Sequence, residues 1–304
     1  MTTGGHDPDL DGTVAWRALL AETVGRLRAG GIEAPEPEAR WIVEAATGLT
    51  GADLVLGLDE LATVRGVAHL DAMVERRLAG EPIQYVTGSW GFRHLDLLCD
   101  PRVLIPRPET EQVVEVALRE LDRRRAALAD GAHPLAVDLG TGSGAIALSI
   151  ALERPGTDVW AVDRSPDALA VARANLAGLG MAGSRVRVVE GSWFEALPAE
   201  LAGRIDLVAT NPPYIATHEV LPPAVIDWEP TGALLAGPDG LDAYREILAE
   251  APRWLAPAGV LVAEIGTSQE AAVLALAADA GLVDPRVERD HAGHPRTLVA
   301  HAPA

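Results

Sequence analysis

Short apolar segments alternate with helical stretches along residues 134–265, and this alternation constrains the fold more than any other feature of the sequence. Five segments have the length and apolar character of buried strands: Leu135 to Leu139, Val159 to Val162, Val186 to Val189, Ile205 to Ala209 and Val260 to Ile265. Strands separated by helices pair in parallel, because each crossover returns the chain to the same end of the sheet. The pattern predicts an α/β fold with a mostly parallel, doubly wound sheet.

The flanking regions have different patterns. Apolar residues recur at helical spacing from Thr13 to Leu78, which predicts a small helical domain over residues 1–80. Aromatic and β-branched residues such as Tyr85 and Val86 alternate with turn residues after Gly80, so residues 81–107 are expected to form a linker with a β-hairpin. Residues 108–304 then form the α/β domain, which begins with a helix from Pro108 to about Ala129. Val283 to Val287 and Thr297 to Ala300 lack an intervening helix and predict an antiparallel edge.

Charge and composition exclude several classes of function. The formal net charge is -19 and every basic residue is an arginine, which disfavours binding to nucleic-acid phosphates. The single cysteine, Cys99, rules out an intrachain disulfide, and no Cys/His cluster indicates a metal site. Met1 to Asp11 have no targeting pattern, and no apolar run approaches the roughly 20 residues that span a bilayer. A cytoplasmic protein without a membrane partner is expected.

A glycine-rich loop follows the first predicted parallel strand, in Asp138-Leu139-Gly140-Thr141-Gly142-Ser143-Gly144. Its glycines permit a tight turn and let a ligand lie against bare backbone. Asp163 closes the next strand about twenty residues later, where a carboxylate accepts hydrogen bonds from ribose hydroxyls. The loop also fits an NAD fingerprint, but Gly144 and the acidic Asp138 count against NAD. A carboxylate sits poorly beside a pyrophosphate and well beside an ammonium group.

The predicted strand that ends near Thr210 leads into Asn211-Pro212-Pro213-Tyr214. Ligands bind at the carboxyl ends of parallel strands, so this loop and the glycine loop are expected to face one crevice. An amide or exocyclic amino nitrogen is a weak nucleophile because its lone pair is delocalised. The Asn211 side-chain oxygen and the Pro212 carbonyl can accept both hydrogens of such an NH2 group, while Tyr214 offers a stacking face. The motif predicts alignment of a planar nitrogen for in-line displacement.

Together these three motifs resemble the class I methyltransferases that modify planar nitrogens in DNA, RNA and protein. The segment Val103-Leu104-Ile105-Pro106-Arg107-Pro108-Glu109-Thr110-Glu111 narrows the resemblance, with Glu81-Pro82-Ile83-Gln84-Tyr85 before it and Glu229-Pro230 and Gly240-Leu241-Asp242 after the tetrapeptide. With these segments the chain resembles the HemK/PrmC family of release factor glutamine N5-methyltransferases. The resemblance implies a class I methyltransferase fold and a smaller N-terminal domain that recognises the substrate.

The resemblance also implies an activity and a set of site residues. Methyl would pass from S-adenosylmethionine to the glutamine N5 of the Gly-Gly-Gln motif in class I peptide-chain release factors, with the protein acting as a monomer. Asn211, Pro212 and Tyr214 are the implied catalytic residues, and Asn211 also contacts the cofactor. The implied cofactor residues are Asp138, Leu139, Gly140, Thr141, Gly142, Asp163 and Trp193, which stacks near the adenine; Asn211, Pro212, Pro213 and Tyr214 hold the glutamine. Ser192 departs from the acidic residue usual in the family, and for Glu264 and Arg296 a structural role is expected.

Three other functions remain open at this point. Glutamine methylation of a ribosomal protein requires the same chemistry, although the Ile-Pro-Arg-Pro-Glu-Thr-Glu run favours the release-factor branch. Amino-methylation of DNA or RNA uses the same tetrapeptide, but the net charge and the lack of a basic recognition domain weigh against it. A nucleotide-binding module or an NAD enzyme would leave Asn-Pro-Pro-Tyr unexplained. No direct nucleic-acid partner is therefore expected.

Overall fold

The computed structural model describes residues 14–129 and 131–304, so the features predicted at residues 1–13 lie outside this part of the chain. The chain divides into two compact units, Met1–Ser89 and Trp90–Ala304. None of the helices in the described part of the chain is long and apolar enough to cross a membrane.

The N-terminal unit is helical, as its periodicity predicts. Its helices are α1 (Trp16–Ala29), α2 (Pro35–Thr47), α3 (Gly51–Gly57), α4 (Val64–Leu78) and α5 (Ile83–Thr87). Helix α2 begins with proline in its first turn and ends at Gly48, whose φ of 72° gives the left-handed conformation that closes many helices. Apolar side chains of all five helices form one buried core.

The predicted hairpin begins later than its sequence pattern indicates. Strands β1 (Ser89–Phe92) and β2 (Leu95–Leu98) pair around Arg93, which has a φ of 51°. Tyr85 and Val86, which the pattern groups with the hairpin, are buried in α5 instead. Their β-branched and aromatic character reflects burial, which outweighs intrinsic strand preference in so short an element.

The C-terminal unit contains a seven-stranded sheet, which confirms the predicted α/β fold with an antiparallel edge. Its elements, in chain order, are α6 (Pro108–Ala127), β3 (Leu135–Leu139), α7 (Ala145–Glu153), β4 (Asp158–Asp163), α8 (Pro166–Gly178), β5 (Val186–Glu190), β6 (Ile205–Thr210), α9 (Pro223–Ile226), α10 (Asp242–Trp254), β7 (Leu255–Glu264), α11 (Glu270–Asp279), β8 (Val283–Arg289) and β9 (Pro295–His301). The strand order is β5-β4-β3-β6-β7-β9-β8. The first five strands are parallel, and β9 runs antiparallel to both of its neighbours.

Each face of this sheet carries its own apolar core. Helices α6 and α7 cover one face, where Ala136 and Leu207 point, and α10 and α11 cover the other, where Val137 and Val208 point. Successive strand residues face opposite sides, so the central strands are apolar along their whole length. This arrangement leaves the strand ends, and the loops that follow them, as the places where polar side chains gather.

Candidate active site

The chain reverses its winding direction between β3 and β6, which are neighbours in the sheet. It leaves β3 toward β4 and β5, then crosses back to β6 on the other side of β3. Loops at the carboxyl ends of two such strands diverge and leave a crevice between them. A cavity of about 460 Å³ lies there, within the size range of small-molecule sites. The loops after β3, β4, β5 and β6 all contribute to its wall, as do the start of α10 and residues 102–104.

The glycine loop after β3 needs its glycines at three positions. Gly140, Gly142 and Gly144 have φ values of 74°, 54° and 89°, in the left-handed region that side chains disfavour. A Cβ at Gly140 would lie 3.4 Å from the Trp193 ring, and one at Gly144 would lie 3.0 Å from Leu148. The loop therefore brings bare backbone to the cavity wall, as the sequence predicts.

Asp138 lies beneath this loop and is completely buried. Its Oδ2 atom accepts hydrogen bonds from the Thr141 hydroxyl at 2.6 Å and from the Ala147 amide at 3.1 Å, so the carboxylate caps the first turn of α7. Its Oδ1 atom is buried and has no partner in the described part of the chain. Burial is the main reason that the pKa of Asp138 rises to about 7. Asp138 does not line the cavity itself.

Asp163, at the end of β4, ties the glycine loop to the next helix. Its carboxylate accepts the Gly142 amide and the Ser165 amide, each at 2.9 Å. Ser165 caps α8 by accepting the Ala168 amide at 3.2 Å. Asp163 is half-buried and lines the cavity, which is the position predicted for the ribose carboxylate.

Trp193 forms another part of the wall. Its φ of 43° is unusual for a bulky residue, and such conformations cluster at functional sites. The indole Nε1 donates a hydrogen bond of 2.6 Å to Glu246, an exposed residue of α10 that also lines the cavity. Ser192 lines it as well. No sequence pattern marks Glu246, because a polar residue on a helix is usually only solvated.

Asn211, the first residue of the tetrapeptide, is held from behind. Its Nδ2 atom donates to the Thr110 hydroxyl at 3.1 Å, and that hydroxyl donates to Glu264 Oε2 at 2.5 Å. Thr110 and Glu264 are 4% and 1% exposed. With its nitrogen engaged there, Asn211 lines the cavity with its side-chain oxygen available as an acceptor.

The other tetrapeptide residues divide between cavity and core. Pro213 lines the cavity, while Pro212 is buried behind it. Tyr214 does not line the cavity; its hydroxyl lies 3.4 Å from Glu264 Oε1, and its carbonyl accepts a hydrogen bond from Gln269 at 2.9 Å. Burial raises the pKa of Tyr214 to about 12, so its hydroxyl stays protonated.

A partly buried ion pair connects two segments that the sequence motifs marked separately. Glu229 accepts the Ile105 amide at 3.1 Å and the Arg107 guanidinium at 2.5 Å, and its side chain is 1% exposed. The segment around Arg107 and the loop around Glu229 therefore form one wall. Arg164 closes the rim by donating to the Gly232 carbonyl at 3.2 Å.

The structure thus brings most of the predicted residues to one cavity. Five of the predicted residues besides Pro213 line it directly: Gly140, Gly142, Asp163, Trp193 and Asn211. The others lie immediately behind the wall and do not line it: Asp138, Leu139, Thr141, Pro212 and Tyr214. The motifs did not identify Thr110 or Glu246, and Glu264 received only a structural interpretation.

Two family models match the chain. The model described as the PrmC N-terminal domain matches residues 18–88, and the one described as the methyltransferase small domain matches residues 120–226. Together they cover the helical unit and the part of the C-terminal unit that contains the glycine loop and the tetrapeptide.

Similar proteins match over most of the chain. A release factor glutamine methyltransferase of Moorella thermoacetica is 43% identical over 289 residues, which cover 94% of this chain and 98% of that protein. Proteins with the same description from Geobacter sulfurreducens and Burkholderia pseudomallei are 38% and 42% identical, covering 93% and 91% of this chain and 95% of each relative. A solved methyltransferase structure from Pyrococcus furiosus aligns with a TM-score of 0.50 at 17% identity, covering 76% of this chain and 98% of that one. That likeness shows the fold.

Proposed function

The chain belongs to the family of release factor glutamine methyltransferases, and from this premise we propose its reaction and substrate. It transfers methyl from S-adenosylmethionine to the side-chain N5 of the glutamine in the Gly-Gly-Gln motif of class I peptide-chain release factors. The observation that carries the proposal is the orientation of Asn211. Its nitrogen is held by Thr110, which leaves its oxygen as an acceptor at the cavity wall.

The residues at the cavity fit S-adenosylmethionine, whose sulfonium supplies an activated methyl group. Bare backbone at Gly140 and Gly142 lets a ligand approach closely, and Asp163 keeps acceptor capacity for ribose hydroxyls beyond its two amide bonds. Asp138 lies behind the wall, and its buried carboxylate with an unpartnered Oδ1 favours a cationic ligand group nearby. Trp193 offers a flat aromatic wall for the adenine, and Ser192 and Glu246 flank it.

Asn211 and Pro212 activate the acceptor by alignment. The glutamine NH2 group donates one hydrogen to the Asn211 oxygen and the other to the Pro212 carbonyl. These two hydrogen bonds direct the lone pair of the nitrogen toward the methyl donor. As the N–C bond forms, the S–C bond breaks, and the nitrogen then releases one proton to solvent. These acceptors stabilise the positive charge that develops on the nitrogen. Electrostatic stabilisation of this kind is usually the largest single contribution to catalysis. Tyr214 supports this loop from behind, through its contact with Glu264.

We also propose a role for each part of the chain. Residues 1–80 recognise the release factor, residues 81–107 link the domains, and residues 108–304 carry out the transfer. The enzyme acts as a cytoplasmic monomer on a protein and does not contact nucleic acid directly. The net charge of -19 supports a protein substrate over a polyphosphate backbone.

Mass spectrometry tests reaction and substrate together. A class I release factor is incubated with the protein and S-adenosylmethionine, beside a release factor whose Gly-Gly-Gln glutamine is replaced by alanine. The expected result is one added methyl group on the Gly-Gly-Gln peptide and none in the control. No gain despite measurable cofactor binding would contradict the proposal and point to a ribosomal-protein or nucleic-acid substrate.

A further inference from the structure

A buried series of hydrogen bonds lies behind Asn211 and continues beyond Thr110 to Glu264. It runs from Asn211 Nδ2 to the Thr110 hydroxyl over 3.1 Å, and from that hydroxyl to Glu264 Oε2 over 2.5 Å. Thr110 belongs to α6, and Glu264 is the last residue of β7. Three separate elements therefore converge on one side-chain amide.

The direction of each hydrogen bond in this chain follows from the number of hydrogens. An ionised Glu264 has none, so the single hydroxyl hydrogen of Thr110 must point to Glu264. Thr110 is then left with only acceptor capacity toward Asn211. The Asn211 amide must present its NH2 group to Thr110 and its oxygen to the cavity. A protonated Glu264 removes this constraint, because it can donate to Thr110 and free the hydroxyl hydrogen to bond the Asn211 oxygen.

We propose that Thr110 and Glu264 are positioning residues, and that ionised Glu264 fixes the Asn211 amide with its oxygen toward the acceptor nitrogen. The proposal rests on the proposed function, since the orientation matters only for an acceptor that donates hydrogens. In the reversed orientation, the Asn211 NH2 group meets the NH2 group of the substrate, and the two donors repel each other.

The groups around Glu264 place the pKa of its carboxyl group close to neutral. Arg296 from β9 favours the ionised form, as do the hydroxyls of Thr110 and Tyr214. Glu109 from α6 opposes it, and burial opposes it most strongly, so that the pKa of Glu264 rises to about 7. Tyr244 from α10 donates to the Glu264 main-chain carbonyl at 2.7 Å, and its own pKa is raised well above the ordinary value. Acidification below neutrality therefore releases the Asn211 amide.

Steady-state methylation of a release factor tests the two roles. Thr110→Val keeps the shape of the side chain and loses the hydroxyl, so kcat should fall at least about tenfold, as expected when an aligning group is displaced. The dissociation constant for S-adenosylhomocysteine should stay within about twofold, because the ligand wall is intact. Thr110→Ser should restore kcat to within about threefold. Thr157→Val is the matched control, since Thr157 is a buried threonine at the opposite end of the sheet.

The pH profile separates positioning from a merely structural contribution. Rates are measured at S-adenosylmethionine concentrations that saturate the enzyme at every pH, so that titration of Asp138 near the cofactor does not limit them. Wild-type kcat should then rise from pH 6 to pH 8, and Glu264→Gln should be slow and lack this rise, because a glutamine does not ionise there. Thr110→Val with wild-type kcat, or a Glu264→Gln variant that keeps the acid limb, would overturn the proposal.

A second readout does not depend on turnover. The Asn211 side-chain amide signals in nitrogen-15 NMR should shift between pH 6 and pH 8 in wild type and stay fixed in Glu264→Gln. Signals that move equally in both proteins would contradict the link to Glu264. A wild-type protein that shows this shift but does not methylate release factors would refute the proposed function and leave the hydrogen-bonded chain established. The two failures are therefore distinguishable.

Discussion

Asp163 provides the sharpest test of the cofactor site, because its carboxylate has two identifiable tasks. It already accepts the amides of Gly142 and Ser165, each at 2.9 Å, and it is proposed to accept ribose hydroxyls as well. Asp163→Ala removes both tasks at once. Asp163→Asn is not a neutral replacement, because its one oxygen can serve one amide while its NH2 group faces the other N–H.

The size of the effect follows from these contacts. A hydrogen bond to a charged group contributes about 1.5–3 kcal/mol, and this contribution is lost when the charged group is removed. Asp163 is half-buried, so water replaces part of this loss for the amides. Affinity for S-adenosylhomocysteine should therefore fall by about 1–3 kcal/mol, or about 5- to 150-fold. The Asn variant keeps the hydrogen bond with the Ser165 amide and loses the one with the Gly142 amide, so its affinity for S-adenosylhomocysteine is also expected to fall.

Calorimetric titration with two ligands isolates the ribose contribution. Wild type and Asp163→Ala are titrated with S-adenosylhomocysteine and with its analogue lacking both ribose hydroxyls. If Asp163 accepts these hydroxyls, removing them weakens binding to wild type and has little further effect on the variant. Asp167→Ala is the matched control, because it removes an exposed carboxylate from the first turn of α8 that does not itself line the cavity. Equal losses on removing the hydroxyls in both proteins would refute the ribose assignment.

Three further predictions concern the cavity wall and its supports. Asn211→Ala should lower kcat at least about 100-fold and change cofactor affinity by no more than a few fold, because it removes one aligned acceptor. An equal loss of kcat, measured by kinetics, and of cofactor affinity, measured by calorimetry, would contradict this. Glu246→Ala frees the Trp193 indole and should weaken S-adenosylhomocysteine binding about three- to tenfold, a loss typical of one hydrogen bond, whereas Glu246→Gln keeps an acceptor and should bind nearly as wild type. Glu264 has a folded-state pKa of about 7 against an ordinary 4.5, so its contribution to stability is complete below pH 4.5 and is lost as the pH rises through 7. Melting temperatures should therefore favour Glu264→Gln over wild type increasingly from pH 5 to pH 8, and a constant difference would refute the assignment.

Local patterns in the sequence were sufficient to predict those site elements whose residues are neighbours along the chain. The glycine loop, the strand-end carboxylate Asp163 and the tetrapeptide from Asn211 each lie within a few residues of a predicted strand. The topology of a parallel sheet then brings them together without further information. Tyr85 and Val86 show the limit of such patterns, because burial in a short helix looks like a strand in the sequence.

The supports of the site could not be predicted in this way, because their contacts join distant segments. Thr110 is 101 residues from Asn211 and 154 residues from Glu264, and Glu246 is 53 residues from Trp193. None of these pairs leaves a periodic or spacing signal. Thr110 lies inside the segment that carries the family resemblance, but the resemblance does not indicate what its hydroxyl contacts.

The buried carboxylates of the described residues fall into two groups, according to whether an arginine pairs with them. Most are paired with an arginine at 3.6 Å or less: Glu38, Glu81, Glu120, Asp206, Glu229 and Asp290. Asp138 and Glu264 have no such ion pair, and burial raises the pKa of each to about 7. An uncompensated buried charge destabilises a fold, so stability alone would favour a neutral residue at either position. Both residues lie at strand ends beside the cavity, one under the glycine loop and one behind Asn211. Their energetic cost is therefore expected to be offset in the bound and reacting states, where ligand charge and acceptor alignment require a carboxylate.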